Sequence, residues 1–172
     1  GADPLAILRA VGQLAVNGEV VSGASTITMQ LARLLERRPR TLTSKAIELF
    51  RAFQLEWHYS KQEILGFYLT LAPYGVNLEG IEAASRAWFR KPPTALTLAE
   101  SAMLTVLPQR PSGLRPDRYP EQAKAARDKV LKRLLDAGRI TQLQYDEARS
   151  VPVPRRLHRF PRQAPHYSAD LL

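Results

Sequence analysis

The 172-residue chain has the length of about one domain, and its 45% hydrophobic and 24% charged residues are typical of a globular protein. The lack of cysteine excludes a disulfide scaffold, a thiolate zinc site and a cysteine nucleophile. A net charge of +9, from 25 Lys and Arg against 16 Asp and Glu, favours an anionic partner. A nucleic acid, a membrane surface and a phosphate-bearing substrate all fit, as does a basic surface with no dedicated partner.

Helix signals dominate the first 39 residues. Asp3-Pro4 is a typical helix start and Gly18 a typical stop, with apolar side chains at helical spacing between them. Ser25 or Thr26 can cap a second helix, which Pro39 interrupts. The sequence therefore predicts two helices in this part of the chain.

A third helix is predicted over residues 44–58, followed directly by a fourth. The apolar side chains of the third helix share one side: Ala46, Leu49, Phe50, Phe53 and Trp57. We expect this side, including Trp57, to belong to the core. Ser60 and Glu63 form a capping box that opens the fourth helix.

Four further helices are predicted in the second half of the chain. Their approximate spans are residues 77–89, 97–108, 120–138 and 141–149. The second and the last begin with capping boxes, and the third begins at Pro120 and stops at Gly138. Trp88 and Phe89 lie among apolar neighbours and are expected in the core. The predicted fold class is mainly α, because no hairpin or sustained alternation of period two is present.

Prolines and arginines fill the end of the chain. The prolines are Pro152, Pro154, Pro161 and Pro165, and the arginines are Arg155, Arg156, Arg159 and Arg162. Proline at this density excludes regular structure, and no acidic residue accompanies the arginines. This composition predicts an extended basic, Pro-rich C-terminal tail or linker.

Small and hydroxyl residues precede the second helix, as Gly-Ala-Ser-Thr-Ile-Thr-Met-Gln at residues 23–30. Free backbone amides and the positive end of the helix dipole suit an oxyanion or a phosphate there. A Ser or Thr cap without any ligand is the more frequent explanation of such a segment.

Cations are dense between residues 33 and 48: Arg33, Arg37, Arg38, Arg40 and Lys45 stand against Glu36 and Glu48. Arg33 and Arg37 are four residues apart and would share a helix face. Lys45 and Glu48 lie on the polar side of the third helix, where we expect Glu48 to open onto a groove. A carboxylate among cations favours electrostatic work beside a phosphate or metal over a general base. A solvated helix face with ordinary salt bridges is the alternative.

Histidine does not predict a metal site in this chain. The three histidines lie far apart in the sequence: His58, His158 and His166. None has a second nearby ligand, and His58 at a helix C-terminus is a typical partner of the helix dipole.

Five segments in chain order resemble the motifs of the peptidoglycan glycosyltransferases, glycosyltransferase family 51, found in class A penicillin-binding proteins. They are residues 23–30 quoted above, Lys-Ala-Ile-Glu at 45–48, Tyr-Ser-Lys-x-x-Ile-Leu-x-x-Tyr-Leu at 59–69, Gly-x-x-Ala-Ala-Ser at 80–85 and Leu-Pro-Gln-x-Pro-Ser at 107–112. Residues 1–150 carry the resemblance. Segments similar to the 1C type are Leu-Glu-Trp at 55–57, Ala-Pro-Tyr-Gly at 72–75 and Arg-Pro-Asp-Arg at 115–118. Residues 151–172, with Ala-Pro-His at 164–166, resemble a linker toward a transpeptidase domain.

The resemblance implies a lysozyme-like α fold on the outer face of the cytoplasmic membrane. The implied substrate is lipid II, with the nascent glycan strand as donor and no nucleic-acid partner. The 4-hydroxyl of an incoming lipid II attacks the anomeric carbon of the strand with inversion and expels undecaprenyl diphosphate. A diphosphate leaving group explains the basic charge, since Arg and Lys bind phosphate at close range.

The resemblance also implies roles for particular residues. Glu48 would be a catalytic carboxylate that assists departure of the diphosphate, directly or through a divalent cation such as Mg or Mn. No residue is implied as a dedicated metal ligand. The implied substrate-binding residues are Ser25, Thr26, Gln30, Arg33, Arg40 and Lys45.

The chain departs from the family pattern at several positions. Only Gly-Ala-Asp-Pro at residues 1–4 resembles the first motif, and that motif's Glu, the general base, would lie upstream of Gly1. We therefore expect an N-terminally truncated and inactive fragment. Ser44, Gly66 and Thr70 stand where the motifs usually have Arg, Glu and Asn. An inactive scaffold, a lysozyme-like hydrolase and a basic nucleic-acid-binding module are the alternative functions.

Overall fold

The structure is a computed structural model and describes residues 26–39 and 41–158. The helix predicted between Asp3 and Gly18 lies outside these residues, as does the chain beyond residue 158. The described residues fall into two compact units that divide between Ala72 and Pro73. They form helices joined by turns, which confirms the mainly α class. None of the described helices combines the length and the apolar composition that crossing a membrane requires.

Three helices form the first unit: α1 (Ile27–Leu35), α2 (Leu42–His58) and α3 (Lys61–Leu71). Helix α1 packs against both of the others. Thr41 caps α2, and the predicted capping box of Ser60 and Glu63 opens α3. The apolar centre of the unit consists of Met29, Leu31, Ala32, Ala52 and Ile64.

Helix α1 is shorter than the spacing of its arginines suggested. It ends at Leu35, and Glu36 already has an extended backbone. Arg38 precedes Pro39, and a residue before proline is disfavoured in the helical region. Arg33 and Arg37 therefore do not share a helix face, and that part of the prediction was wrong.

The apolar side of α2 is exposed, in contrast to the prediction. Phe50 and Phe53 are more than half exposed, and Trp57 is 87% exposed. The buried residues of α2 are instead Ser44, Glu48 and Ala52. Hydrophobic spacing tells which residues share a side of a helix, but the contacts with α1 decide which side is packed.

Four helices organise the second unit: α4 (Ile81–Phe89), α5 (Leu98–Val106), α6 (Pro120–Asp136) and α7 (Gln142–Ser150). Two short 3₁₀ helices, Pro93–Ala95 and Leu107–Gln109, flank α5. A cluster of small and branched side chains joins α5, α6 and α7: Ala99, Ala102, Leu131 and Ala148. Trp88 is fully buried, as predicted, and its Nε1 donates to the Tyr74 carbonyl at 3.4 Å.

A buried arginine fixes the end of the second unit. Arg127 of α6 is 1% exposed. Its guanidinium donates to the backbone carbonyls of Val151 and Arg149 and to Asp128 Oδ1. Residues 151–158 continue without helix or strand, and the His158 amide donates to the Ala87 carbonyl at 2.7 Å. Arg127 thereby satisfies carbonyls at the end of α7 that have no partner within the helix.

Replacement of Arg127 by methionine should therefore destabilise the chain strongly. Arg127→Met leaves two carbonyls and part of Asp128 without their donor in a buried site, and we expect a loss of about 2–4 kcal/mol in the free energy of unfolding. Urea unfolding of the 172-residue chain measures it. Lys132→Met, which breaks an exposed pair with Asp136 on the same helix, is the control and should have no resolved effect. Equal midpoints for the two variants would contradict this role.

Candidate active site

Hydroxyl residues in the first turn of α1 have structural partners. Thr26 caps the helix, and its Oγ1 accepts a hydrogen bond from the Met29 amide at 3.3 Å. Thr28 is buried, and its Oγ1 donates to Glu56 Oε1 of α2 at 2.7 Å. These bonds fix the start of α1 and one of its contacts with α2.

Glu48 lies buried between α1 and α2. It accepts two hydrogen bonds from Arg33, Nε to Oε1 at 2.7 Å and Nη2 to Oε2 at 3.0 Å. Lys45 Nζ lies 3.8 Å from Oε2. Glu48 is 5% exposed, whereas the Arg33 and Lys45 side chains are 39% and 25% exposed. Among the described residues the carboxylate faces α1 and the cations Arg33 and Lys45, which reach solvent more than it does. That Glu48 opens onto a groove stays a prediction.

Burial sets the protonation of Lys45. Burial lowers its pKa below the usual 10.5, the charge of Glu48 partly opposes this, and the charge of Arg33 adds to the lowering. The unfolded chain therefore binds this proton more tightly than the folded chain. The contribution of Lys45 to the free energy of unfolding should therefore increase as the pH rises from its lowered pKa toward 10.5.

A hydrogen bond between α3 and α1 holds the side chain of Gln30. The Tyr68 hydroxyl donates to Gln30 Oε1 at 3.0 Å. Burial raises the pKa of Tyr68 above its usual value, so the phenol stays protonated at neutral pH. Gln30 lies one turn before Arg33 on α1, and the two side chains share a side of the helix.

The structure brings most of the predicted site residues to one region of the first unit. Three of them form what we call the Glu48 cluster: Arg33, Lys45 and Glu48. Two more lie on α1 and at its N-cap, ahead of Arg33: Thr26 and Gln30. The remaining two lie outside the described residues: Ser25 and Arg40.

Sequence reasoning missed two polar partners of α1: Tyr68, which bonds to Gln30, and Glu56, which bonds to Thr28. Tyr68 belonged to a quoted motif without a role, and Glu56 was noted only as part of a type-specific segment. When a tyrosine hydroxyl or a carboxylate on a helix is buried, it needs a polar partner. That requirement was visible in the sequence, but the identity of the partner was not.

A separate groove of about 360 Å³ runs between the C-terminal parts of α1 and α2. Its lining is Ala32, Leu35, Glu36, Arg51, Gln54, Leu55, His58 and Tyr59. Glu36 lies 3.5 Å from Arg51 Nε, and a hydrogen bond from Arg38 lowers the pKa of Glu36. Glu48 does not line this groove, so the groove is distinct from the Glu48 cluster.

The described residues do not form a site for the divalent cation that the resemblance implies. Across residues 26–39 and 41–158, no three His, Asp or Glu side chains come together. Both oxygens of Glu48 already face cations. Mg²⁺ and Mn²⁺ require several oxygen ligands, and a carboxylate engaged by a guanidinium does not supply them.

Comparison with known proteins identifies the family. A family model described as Transglycosylase matches residues 1–135. The chain is 49% identical over all 172 residues to penicillin-binding protein 1C of Escherichia coli, of which it covers 22%. It is 40% identical over 159 residues to penicillin-binding protein 1A of the same organism, matching 92% of this chain and 19% of that protein. A crystal structure of penicillin-binding protein 1A from Haemophilus influenzae aligns with a TM-score of 0.53 and 26% identity, over 81% of this chain and 18% of that one.

The chain belongs to the transglycosylase family. This confirms the peptidoglycan glycosyltransferase identification and the fold class made from the sequence motifs. The identity is higher to the 1C relative than to the 1A relative, in agreement with the segments that resemble the 1C type. The chain spans about a fifth of the length of these penicillin-binding proteins.

The Glu48 cluster makes a prediction about the protonation of Lys45. Glu48→Gln removes the negative charge that raises the pKa of Lys45, so this pKa should fall further below 10.5. A pH titration of the labelled lysine side chain by NMR measures the change. Glu36→Gln, which removes a carboxylate that does not contact Lys45, is the matched control. An unchanged or higher pKa in Glu48→Gln would contradict the cluster.

Proposed function

We propose that this domain polymerises lipid II into glycan strands with inversion at the anomeric carbon and release of undecaprenyl diphosphate. The Glu48 cluster is the observation that carries the proposal. Two partly exposed cations, Arg33 and Lys45, lie against the buried carboxylate of Glu48. The described part of the cluster therefore presents positive charge to solvent, as a diphosphate leaving group requires.

In this proposal the two cations hold the diphosphate and stabilise the charge that develops on it. The guanidinium of Arg33 has a fixed planar shape, and Glu48 occupies two of its donors and so sets its orientation. Lys45 provides a point charge on the neighbouring helix. Glu48, which lies beside these cations, assists departure of the leaving group. Four further residues complete the binding site: Ser25, Thr26, Gln30 and Arg40.

A lysozyme-like hydrolase is the nearest alternative, because it also acts on a glycan. Such an enzyme generally uses two carboxylates that flank the scissile bond, one of them held protonated as the acid. Glu48 instead accepts two hydrogen bonds from Arg33 and lies 3.8 Å from Lys45 Nζ, so both of its oxygens face cations. The cluster thus supports transfer from a diphosphate donor over hydrolysis, and the family gives no support to nucleic-acid binding.

A membrane surface is the proposed location, on the outer face of the cytoplasmic membrane. Large apolar side chains on α2 and α3 are exposed: Phe50, Phe53, Trp57, Leu65, Phe67 and Leu71. Aromatic residues of this kind favour the membrane interface, and a net charge of +9 favours anionic headgroups. We further propose that residues 151–172 lead toward a transpeptidase domain, as the resemblance implies.

Binding of inorganic pyrophosphate tests the anion site. Lys45→Met should weaken binding to the 172-residue chain about tenfold, because a charge-assisted hydrogen bond is worth about 1.5–3 kcal/mol. Adding Arg40→Ala should weaken it further. Isothermal titration calorimetry provides the affinities, with Lys132→Met of α6 as the control for a lost surface charge. An affinity equal to that of the unsubstituted chain would remove Lys45 from the site.

We expect that Glu48 does not serve as the general base that activates the acceptor hydroxyl of lipid II. Attack by a sugar hydroxyl needs a base within hydrogen-bond reach, and its loss removes about 10²–10⁴ in rate. Glu48, occupied by cations on the side of the leaving group, does not also reach the acceptor hydroxyl. A lipid II polymerisation assay compares this chain with one extended ahead of Gly1 by a segment carrying Glu-Asp-x-x-Phe-x-x-His. Equal glycan synthesis by both would show that the base lies within these residues.

A further inference from the structure

The bond between Tyr68 and Gln30 has a direction that matters for the site. A glutamine amide has one end that accepts hydrogen bonds and one that donates them, and it can turn to exchange the two. Within the described part of the chain, the Tyr68 hydroxyl has Gln30 Oε1, at 3.0 Å, as its acceptor. A partly buried hydroxyl that is protonated must donate somewhere, so the Gln30 carbonyl is held on the side of Tyr68.

The amide nitrogen of Gln30 then points away from Tyr68. None of residues 26–39 and 41–158 accepts a hydrogen bond from this nitrogen. Gln30 lies three residues before Arg33, which places the two side chains on neighbouring turns of one helix side. Arg33 and Lys45 carry donors alone. If the nitrogen of the Gln30 amide points away from Tyr68, it adds another donor to the side of α1 that carries Arg33. If the amide turned over, its oxygen would lie there instead and would repel an anion.

We propose that Tyr68 is a positioning residue, which fixes the Gln30 amide so that its nitrogen donates to a phosphate oxygen of a diphosphate-bearing substrate. This inference rests on the proposed function, because it takes the ligand of the Glu48 cluster to be a diphosphate. Tyr68 itself does not touch the ligand. Its hydroxyl acts by excluding one of the two orientations of Gln30.

A double-mutant cycle with inorganic pyrophosphate tests the proposal on the 172-residue chain. Tyr68→Phe should weaken binding about three- to tenfold, because the amide can then present its oxygen to the anion. Gln30→Met should weaken binding at least as much. In the Gln30→Met background, Tyr68→Phe should change the affinity less than twofold, because no amide remains to be oriented.

A second background and a matched control separate positioning from structural damage. Gln30→Leu also has no amide to orient, so in that background the Tyr68→Phe change should again alter the affinity less than twofold. Tyr59→Phe removes the hydroxyl of a tyrosine that has no contact with Gln30, and it should leave binding unchanged. Thermal unfolding of each variant shows whether it is folded at the temperature of the titration.

Each outcome supports or overturns the proposal. Loss of the Tyr68→Phe effect in both Gln30 backgrounds supports it. If Tyr68→Phe and Gln30→Met weaken pyrophosphate binding by factors that multiply, the proposal is overturned and Tyr68 is a structural residue. The anion site of the proposed function would still stand in that case. Absence of pyrophosphate binding by the unsubstituted chain overturns the proposed anion site, and the positioning role with it.

Discussion

The ion pair between Arg33 and Glu48 constrains the rest of the first unit. A carboxylate that is 5% exposed costs several kcal/mol to bury unless a cation and hydrogen bonds compensate it. Arg33 supplies both, so α1 and α2 can pack only with these two side chains facing each other. This fixes the rotation of α2 about its axis. It also explains why Phe50 and Trp57 are exposed, since they lie on a different side of the same helix.

Two further polar links hold α1 in register with its neighbours. Thr28 bonds to Glu56 at the start of the helix, and Gln30 bonds to Tyr68 one turn before Arg33. Each link joins groups that would be costly to bury alone, and the set is satisfied only in one arrangement of the helices. The same contacts that determine the packing therefore orient the side chains we assign to the diphosphate.

The second unit has a different basis of stability, and its motif segments have structural roles. Gly80 begins α4 with a positive φ of 84°, a conformation that favours glycine. The buried Ser85 hydroxyl donates to the Lys91 carbonyl at 2.6 Å and so secures the end of α4. Arg127 has the corresponding function at the end of α7. In the described part of this unit, these polar residues complete the hydrogen bonds of the backbone.

The sequence alone determined most of the described helices, several of their caps and the family. Capping boxes, prolines and glycines act within a few residues, so helices such as α3 and α7 could be located from their own residues. The resemblance to ordered motifs predicted that Glu48, Arg33 and Lys45 belong to one site, and the structure brings these three side chains together. Only the tertiary structure decided that Glu48 is buried, that Trp57 is exposed and that Arg127 is buried at the end of α7. These outcomes depend on partners 15 or more residues away, and hydrophobic spacing within one helix carries no information about them.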